Sequence, residues 1–167
     1  VERDTKIIIT TGLGRDTHRL VAGRRFVLGG VAIPFEKGPL GHSDGDVLLH
    51  AVIDAILGAT GEGDIGEWFS DKDPRNKGIA SKTMVGTVLK KLNLQGWRVQ
   101  HLDTTVFLER PNLSPYKERI RKSIAKILEV PRESVSVKAK TMDGLGPEGE
   151  GLAVSAEALV TMCRGVL

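Results

Sequence analysis

The segment His42–His50 constrains the fold of this chain most, because it leads from a polar stretch directly into a buried helix. Ser43 precedes Asp46 by three residues, which predicts a capping box with Ser43 as the helix N-cap. Apolar residues then recur at the spacing of a helix, at Leu48, Leu49, Val52, Ile53, Ile56 and Leu57. This pattern predicts a helix over residues 44–59 with one face in the core.

The other face of this helix carries three polar residues at intervals of four, namely Asp46, His50 and Asp54. A histidine flanked by carboxylates at the start of a buried helix is most simply a core residue bonded to a neighbour. It is also placed to be a metal ligand, with Asp46 and Asp54 orienting its imidazole or packing its helix. Taken alone, the helix favours the core role.

The start of the chain changes that balance. The apolar run Ile7–Ile9 predicts a strand over residues 6–12 that leads into a loop containing Asp16 and His18. If the strand continues, these two side chains project from the same face, because side chains alternate along a strand. Together with His50 they make three ligands, the number that a catalytic zinc site supplies while it leaves a fourth position open.

The remaining patterns predict an α+β fold in which a mixed β-sheet has helices packed on one face, with residues 1–167 forming a single catalytic domain. One further strand is expected at residues 25–33, broken by a bulge or turn at Gly29–Gly30. Three unbroken strands are expected at residues 97–108, 134–141 and 152–162. Two further helices are expected, one capped by Ser81 over residues 81–93 and one that opens at Ser114–Pro115. Loops are expected at residues 35–42 and 60–78, and residues 1–5 are expected to form a flexible N-terminal extension.

The composition limits the class of protein. With 40% hydrophobic and 27% charged residues, the 167-residue chain suits one globular domain, and no apolar run is long enough to cross a bilayer. A net charge of +3 permits anionic ligands, but 4% aromatic residues leave little to stack on nucleic-acid bases. A single cysteine, Cys163, excludes an intrachain disulfide and favours a reducing compartment. The chain begins with Val1, so either an upstream segment has been removed or the chain starts within a longer protein.

Several motifs occur in a fixed order along the chain. They are Gly14–Leu20, Gly29–Pro34, His42–His50, Gly63–Gly66, Asp71–Pro74, Glu109–Leu113, Lys138–Thr141 and Gly149–Gly151. In this order and at these spacings they resemble the motifs of the 2-C-methyl-D-erythritol 2,4-cyclodiphosphate synthases. That family comprises the zinc enzymes of the non-mevalonate route to isoprenoids, and the resemblance spans nearly the whole chain.

The resemblance implies a lyase that acts on 4-diphosphocytidyl-2-C-methyl-D-erythritol 2-phosphate. In this reaction the 2-phosphate attacks the β-phosphorus of the same molecule, which forms the cyclic diphosphate and releases CMP. The family uses zinc or another divalent transition metal, and magnesium or manganese bridges the substrate phosphates. It forms a homotrimer with active sites between subunits, without nucleic-acid or membrane partners. The location implied is the cytoplasm of a bacterium or the plastid of a plastid-bearing eukaryote.

The resemblance also implies roles for individual residues. Asp16, His18 and His50 would hold zinc, while His42 and Thr141 would stabilise the transition state. Contacts to the substrate phosphates and the methylerythritol would come from Ser43, Asp64, Ile65, Gly66, Phe69, Asp71 and Asp73. Contacts to the cytidine diphosphate would come from Leu108, Arg110, Pro111, Asn112, Leu113, Ser114, Lys140, Met142 and Asp143.

The chain departs from the family pattern at a few positions. Many members have Lys in place of Asn112, so one positive charge near the nucleotide is missing. Many have Glu in place of Asp143, whose shorter side chain leaves direct coordination of the second metal open. Glu148 stands where some members carry an Arg linked to isoprenoid diphosphates in the trimer cavity, so that regulation is not expected here. Leu13 and Arg15 also alter the usual residues around the first metal ligand.

Three other functions stay open on the sequence alone. A zinc-dependent phosphoesterase would use the same ligands with water as the nucleophile, and would give a linear hydrolysis product. A trimeric binding protein with structural zinc would need a fourth protein ligand, because structural sites are closed. Nucleic-acid binding rests only on the sequence pI of about 9.1.

Overall fold

The computed structural model describes residues 6–166, so the extension predicted at residues 1–5 lies outside the described residues. The strands are β1 (Lys6–Ala22), β2 (Phe26–Leu28), β3 (Val31–Ile33), β4 (Lys37–Pro39), β5 (Trp97–Phe107), β6 (Val135–Lys140) and β7 (Ala153–Val166). The helices are α1 (Val47–Thr60), α2 (Ile65–Trp68), α3 (Ser81–Leu94), α4 (Lys117–Leu128) and α5 (Gly146–Gly149). Short 3₁₀ turns lie at Pro74–Asn76 and Arg132–Ser134. Within this range no helix is both long and apolar enough to span a membrane.

Five strands form one sheet in the order β4-β1-β7-β5-β6. Neighbours are antiparallel except β5 and β6, which run parallel, so the sheet is mixed as predicted. Helices α1, α3 and α4 cover one face and enclose the apolar core. The opposite face leaves four large apolar side chains exposed, those of Ile7, Ile9, Leu13 and Leu159. The arrangement confirms the predicted single-domain α+β fold.

Two glycines allow β1 to approach α1 closely. A Cβ atom on Gly14 would lie 2.0 Å from the carbonyl oxygen of Ala51, and one on Gly12 would lie 2.0 Å from that of Ala55. No side chain fits in such a gap, so glycine is required at both positions. The strand and the helix are thereby in backbone contact just before Asp16, on the face of β1 that points toward α1.

The strand limits differ from the prediction at the start of the chain. The strand predicted at residues 6–12 continues to Ala22, so Asp16 and His18 lie within it and not in a loop. The reason is that β1 pairs continuously with β7 from Lys6 to Arg19. The strand predicted at residues 25–33 is the hairpin of β2 and β3, with Gly29 and Gly30 turning the chain at positive φ angles of 58° and 76°.

The loop predicted at residues 35–42 contains the short strand β4, which pairs with the end of β1. The predictions of strands at residues 97–108, 134–141 and 152–162 are confirmed by β5, β6 and β7 within a few residues at their ends. The segment 60–78 is mostly irregular, as predicted, but includes α2 and one 3₁₀ turn.

The predicted caps of the first two helices are wrong, although α3 begins at Ser81 as predicted. Asp46, not Ser43, caps α1, because its side chain accepts from the backbone N–H of Leu49. Ser81 is the first residue of α3 and not its cap; Ala80 occupies the N-cap position without a side-chain bond.

The third helix starts later than the Ser114–Pro115 pair indicated. The carbonyl oxygen of Leu113 accepts from the N–H groups of both Tyr116 and Lys117, which makes a preceding turn. Helix α4 therefore begins at Lys117, after that turn.

Candidate metal centre and substrate cavity

Strand β1 and helix α1 bring three predicted ligands together, and Asp16, His18 and His50 form what we term the metal centre. The carboxylate atom Oδ2 of Asp16 lies 2.8 Å from Nε2 of His18 and 3.0 Å from Nδ1 of His50. The two imidazole nitrogens are 3.1 Å apart. Asp16 and His18 share one face of β1, because they are two residues apart, and α1 presents His50 to that face. The three donor atoms thus converge on one point.

The charges in this cluster favour a cation. Burial opposes ionisation of Asp16, but hydrogen bonds with His18 and His50 outweigh it and hold the pKa of Asp16 well below its usual range. Burial likewise opposes the charged form of His18, yet the bond with Asp16 raises the pKa of His18 above its ordinary value. One carboxylate between two imidazoles is therefore a site that attracts positive charge.

The donor set fits zinc. One carboxylate oxygen and two imidazole nitrogens are ligands that zinc accepts, and a three-residue set leaves one position for substrate. Within residues 6–166, no fourth His, Cys, Asp or Glu joins this cluster, which disfavours a closed structural site. Nδ1 of His18 bonds to the carbonyl oxygen of Leu40 at 2.6 Å, so this nitrogen keeps its proton and Nε2 is the atom that could bind a metal.

The other nitrogen of His50 has partners that differ from those expected. Its Nε2 lies 2.9 Å from Oγ of Ser81 and 3.1 Å from Oγ of Ser43. The carboxylates predicted to orient it are used elsewhere. Asp54 accepts from the backbone N–H of Ile65 at 2.8 Å.

Asp46 is fully buried and ties α1 to the β2–β3 hairpin. Its carboxylate accepts the backbone N–H groups of Gly29 at 2.9 Å, Gly30 at 2.6 Å and Leu49 at 3.1 Å. Burial raises the pKa of Asp46, while these three N–H groups oppose the rise. Its role is to pack the helix, the second of the two roles expected for it.

A cavity of about 470 Å³ opens beside the metal centre. Among the residues predicted to contact substrate, its wall includes His42, Ser43, Ile65, Gly66, Phe69 and Asp71. His42 is exposed, and its Nε2 lies 3.8 Å from a carboxylate oxygen of Asp71. The structure therefore brings these residues into one space with the three predicted metal ligands.

Two predicted contact residues adjoin the cavity but have local partners. Asp64 caps α2 by accepting the backbone N–H of Glu67 at 3.0 Å. Asp73 accepts the backbone N–H of Arg75 and pairs with its guanidinium at 2.6 Å. Neither is among the residues that form the cavity wall. Their substrate roles stay predictions.

Arg24 holds the loop of residues 39–43, which carries His42. Its guanidinium donates to three backbone carbonyl oxygens there: that of Pro39 at 3.2 Å, that of Gly41 at 3.1 Å and that of Ser43 at 3.4 Å. Sequence reasoning missed Arg24 because one arginine of an Arg-Arg pair gives no signal of its distant contacts. It also missed several residues of the cavity wall, including Lys72, Asn76, Ile79 and Met84.

The remaining predicted residues form a separate region, which we term the strand-end surface (residues 108–114 and 140–143). It lies where β5 and β6 end, and the N–H of Leu108 donates to the carbonyl oxygen of Lys140 at 2.9 Å. Thr141 donates to Asp143 at 3.3 Å. Leu108 and Leu113 are buried and Glu109 is half-buried, whereas the other polar members are exposed: Arg110, Asn112, Ser114, Lys140, Thr141 and Asp143.

The strand-end surface contributes nothing to the wall of the cavity. Strand β7 lies between β1 and β5 in the sheet, so the metal centre and this surface are separated within one chain. Because β1, β5 and β6 run in the same direction, both regions nevertheless lie toward the same end of the sheet.

Comparisons with known proteins show what this chain is similar to in sequence and fold. The chain is 49% identical over 155 residues to the 2-C-methyl-D-erythritol 2,4-cyclodiphosphate synthase of Treponema denticola, covering 92% of this chain and 96% of that protein. A solved 2C-methyl-D-erythritol-2,4-cyclodiphosphate synthase in its CDP-bound form is 35% identical, with a TM-score of 0.83 over 90% of this chain and 97% of that one.

The bifunctional IspDF of Campylobacter jejuni is 33% identical, with a TM-score of 0.93 over 98% of this chain. This chain spans 45% of that longer protein. Residues 9–163 match the YgbB family. With a family match over that range and a relative that is nearly half identical along almost its whole length, the chain belongs to the YgbB family.

Proposed function

We propose that this chain is a zinc-dependent 2-C-methyl-D-erythritol 2,4-cyclodiphosphate synthase, a phosphorus–oxygen lyase of non-mevalonate isoprenoid biosynthesis. The observation that carries the proposal is the convergence of Asp16, His18 and His50 at the side of a 470 Å³ cavity. A three-donor centre facing such a cavity suits a phosphate ligand. The names of the related proteins supply the cyclic product, and the CDP-bound relative supports a substrate with a cytidine diphosphate part.

The reaction needs no nucleophile from the protein. An oxygen of the substrate's 2-phosphate forms a bond to the β-phosphorus, and the bond from that phosphorus to the bridging oxygen breaks. CMP leaves with the electron pair, and the product is the cyclic diphosphate. The chain's task is to hold the two phosphates together and neutralise their charge.

The chain's residues divide this task between them. Zinc, when bound, acts as a Lewis acid toward a phosphate oxygen. His42 and Ser43 hold the substrate phosphates, and His42 and Thr141 stabilise the charge of the transition state. The methylerythritol is held by residues around the cavity, namely Asp64, Ile65, Gly66, Phe69, Asp71 and Asp73.

The cytidine diphosphate part binds the strand-end surface, through Leu108, Arg110, Pro111, Asn112, Leu113, Ser114, Lys140, Met142 and Asp143. Asp143 would help to hold a magnesium or manganese ion, which would supply positive charge to the substrate phosphates. The relative from Treponema denticola is a bacterial protein, which favours a cytoplasmic location for this chain.

A homotrimer with sites between subunits would join the two separated regions. The cavity of one copy would face the strand-end surface of the next, so that each site is complete only in the assembly. Exposed Ile7, Ile9, Leu13 and Leu159 support association of copies through the open face of the sheet, because exposed apolar patches are typical of interfaces.

Product analysis by mass spectrometry tests the reaction. The protein is incubated with 4-diphosphocytidyl-2-C-methyl-D-erythritol 2-phosphate and magnesium, with and without a zinc chelator. We expect equal amounts of CMP and cyclic diphosphate, both lost with the chelator and restored by added zinc. A linear hydrolysis product would instead identify a phosphoesterase, and no turnover in the zinc-loaded protein would overturn the proposal.

Mixed oligomers test the shared site. His50→Ala disables the metal side of a site, and Lys140→Glu opposes the nucleotide on the other side by charge. If sites form between copies, random co-assembly of the two inactive variants leaves about a quarter of the sites with two intact sides. Recovery to about that fraction of parent turnover is expected, while no recovery would place both sides in one chain.

A further inference from the structure

Two joined hollows lie between the β2–β3 hairpin, the start of α3 and helix α4. The first has a volume of about 500 Å³, and its wall includes Arg24, Gly30 and Lys82. The second has a volume of about 380 Å³, and its wall includes Gly30, Lys82 and Lys126. Because Gly30 and Lys82 belong to both walls, the two hollows are continuous, and we term them together the basic cleft. None of the three predicted metal ligands lines it.

The positive charge of the basic cleft is not neutralised by its one acid. Asp44 is the only acidic residue among the described residues that line the cleft. Its Oδ1 accepts from the hydroxyl of Ser81 at 2.5 Å and from the backbone N–H of Asp46 at 3.3 Å. Its Oδ2 accepts from the backbone N–H of Ser81 at 3.1 Å. Both oxygens therefore already hold the start of α3 and the approach to α1.

The lysines of the basic cleft differ from their neighbours in this respect. Within residues 6–166, the ammonium groups of Lys82 and Lys126 form no ion pair. By contrast, Lys122, one turn earlier on α4, lies 3.9 Å from a carboxylate oxygen of Glu118. A concave surface lined by unpaired charges of one sign concentrates counter-ions, so the basic cleft favours an anion.

The wall of the basic cleft also offers hydrogen-bond donors. The Nε and Nη2 groups of Arg24 donate to the loop of residues 39–43, which leaves the two N–H groups of Nη1 without a partner in the described part of the chain. The hydroxyl groups of Thr83 and Ser123 line the second hollow and are likewise unbonded within it. A Cβ atom on Gly30 would lie 3.0 Å from Oγ of Ser123, so glycine keeps the space beside that hydroxyl open.

We propose that the basic cleft is a second anion site, which binds a small molecule with a diphosphate group. Two continuous hollows that share Lys82 suit two linked phosphoryl groups, one beside Arg24 and the other beside Lys126 and Ser123. Guanidinium, ammonium and hydroxyl groups are the donors that phosphate oxygens accept most strongly. No aromatic side chain is among the described residues of the wall, which disfavours a nucleic acid, because its bases would have nothing to stack on.

Titration of the zinc-loaded protein with inorganic pyrophosphate, followed by ¹H–¹⁵N NMR, tests the site residue by residue. We expect saturable shifts of the backbone amide signals of Gly30, Thr83 and Ser123, with a Kd below about 1 mM at low salt. Inorganic phosphate, which can fill only one hollow, should bind about 10-fold more weakly. The amide signals of His42 and Ser43 report separately on pyrophosphate in the cavity beside the metal centre.

Lysine variants test which side chains hold the pyrophosphate. Lys82→Ala and Lys126→Ala should each weaken its binding to the basic cleft by about 10-fold, because each removes one charge-assisted bond. Lys90→Ala and Lys122→Ala are the matched controls, since both remove an exposed lysine from the same two helices without touching the cleft. The controls should change the affinity by less than about 2-fold, as expected for distant, screened charges.

Each possible result decides the proposal. It is overturned if pyrophosphate shifts only the signals of His42 and Ser43, if the cleft amides do not shift, or if all four lysine variants bind pyrophosphate equally well. A short single-stranded oligonucleotide that shifts the cleft amides at lower concentration than pyrophosphate would assign the cleft to nucleic acid instead. None of these readouts uses turnover, so the basic cleft and the proposed enzymatic function can fail independently.

Discussion

The metal centre and the strand-end surface differ in how completely one chain builds them. Every donor atom of the metal centre has a partner. The second ring nitrogen of each histidine is also bonded: that of His18 to the Leu40 carbonyl, and that of His50 to the hydroxyls of Ser43 and Ser81. Most polar members of the strand-end surface are exposed, and the side-chain bonds described there stay within the surface, such as those from Thr141 to Asp143 and from the N–H of Ser114 to Asn112. A site that binds a metal must be rigid before the ligand arrives, because the distances between ligands are short and fixed. A surface that meets a second copy, as proposed for this one, can stay open until that copy covers it.

Among the variants that test this contrast, the one that removes a proposed metal ligand should show the largest loss of zinc binding and turnover. We expect His50→Ala to abolish measurable zinc binding and to reduce turnover by at least about 10³-fold, since the metal supplies several kcal/mol to the transition state. The fold should persist, because the apolar core does not depend on the metal. Metal analysis, turnover and circular dichroism check these outcomes. Zinc binding as tight as in the parent would refute the ligand assignment.

Gly14→Ala tests the backbone approach that the metal side needs. The new methyl would meet the Ala51 carbonyl at 2.0 Å, so α1 must move away from β1. We expect a loss of about 3 kcal/mol in the free energy of unfolding, the upper range for overpacking, together with weaker zinc binding.

Gly58→Ala in α1 is the control, because a Cβ atom there meets nothing within 4 Å. Replacing an exposed helical glycine should stabilise the protein by about 0.5–1 kcal/mol. Urea unfolding measures both variants. Equal effects of the two changes would contradict the close contact of β1 and α1.

A substitution in the strand-end surface should raise KM and leave the metal affinity unchanged. Lys140→Ala removes an exposed positive charge from the end of β6, and loss of a charge-assisted bond to the diphosphate should raise KM about 10-fold or more. Lys138→Ala is the matched control, two residues earlier on the same strand, where the ammonium pairs with Asp103 at 2.7 Å. A change in zinc affinity with Lys140→Ala would contradict the separation of the two regions.

Arg24→Ala should have the smallest effect of this series. It removes three bonds to the loop of residues 39–43, so His42 and the Leu40 carbonyl lose support without losing their own chemistry. We expect turnover and zinc affinity to fall a few-fold, corresponding to about 1 kcal/mol. Arg25→Ala, the exposed neighbour, should have no effect on either quantity. Equal turnover and zinc affinity in the two variants would show that the bonds from Arg24 do not support the loop.

The sequence predicted the fold class and the three metal ligands for different reasons. Alternating and helical apolar patterns are local, so they indicated β5, β7 and α3 within a few residues. The ligands followed from motifs at Asp16–His18 and His42–His50, whose residue types are suited to a metal. The ends of strands were predicted less accurately than their centres. Strand β1, for example, is extended by its pairing with β7, and no local sequence pattern shows that pairing.

The sequence by itself determined which residues could bind a metal and which faces of the strands and helices are apolar, because both depend on residue type and short spacing. Only the tertiary structure decided how those residues are oriented. Ser81 reads as a helix cap from its neighbours, yet its hydroxyl serves His50, 31 positions earlier in the chain. Contacts between positions so far apart depend on how the sheet and helices pack, and that packing also separates the metal centre from the strand-end surface.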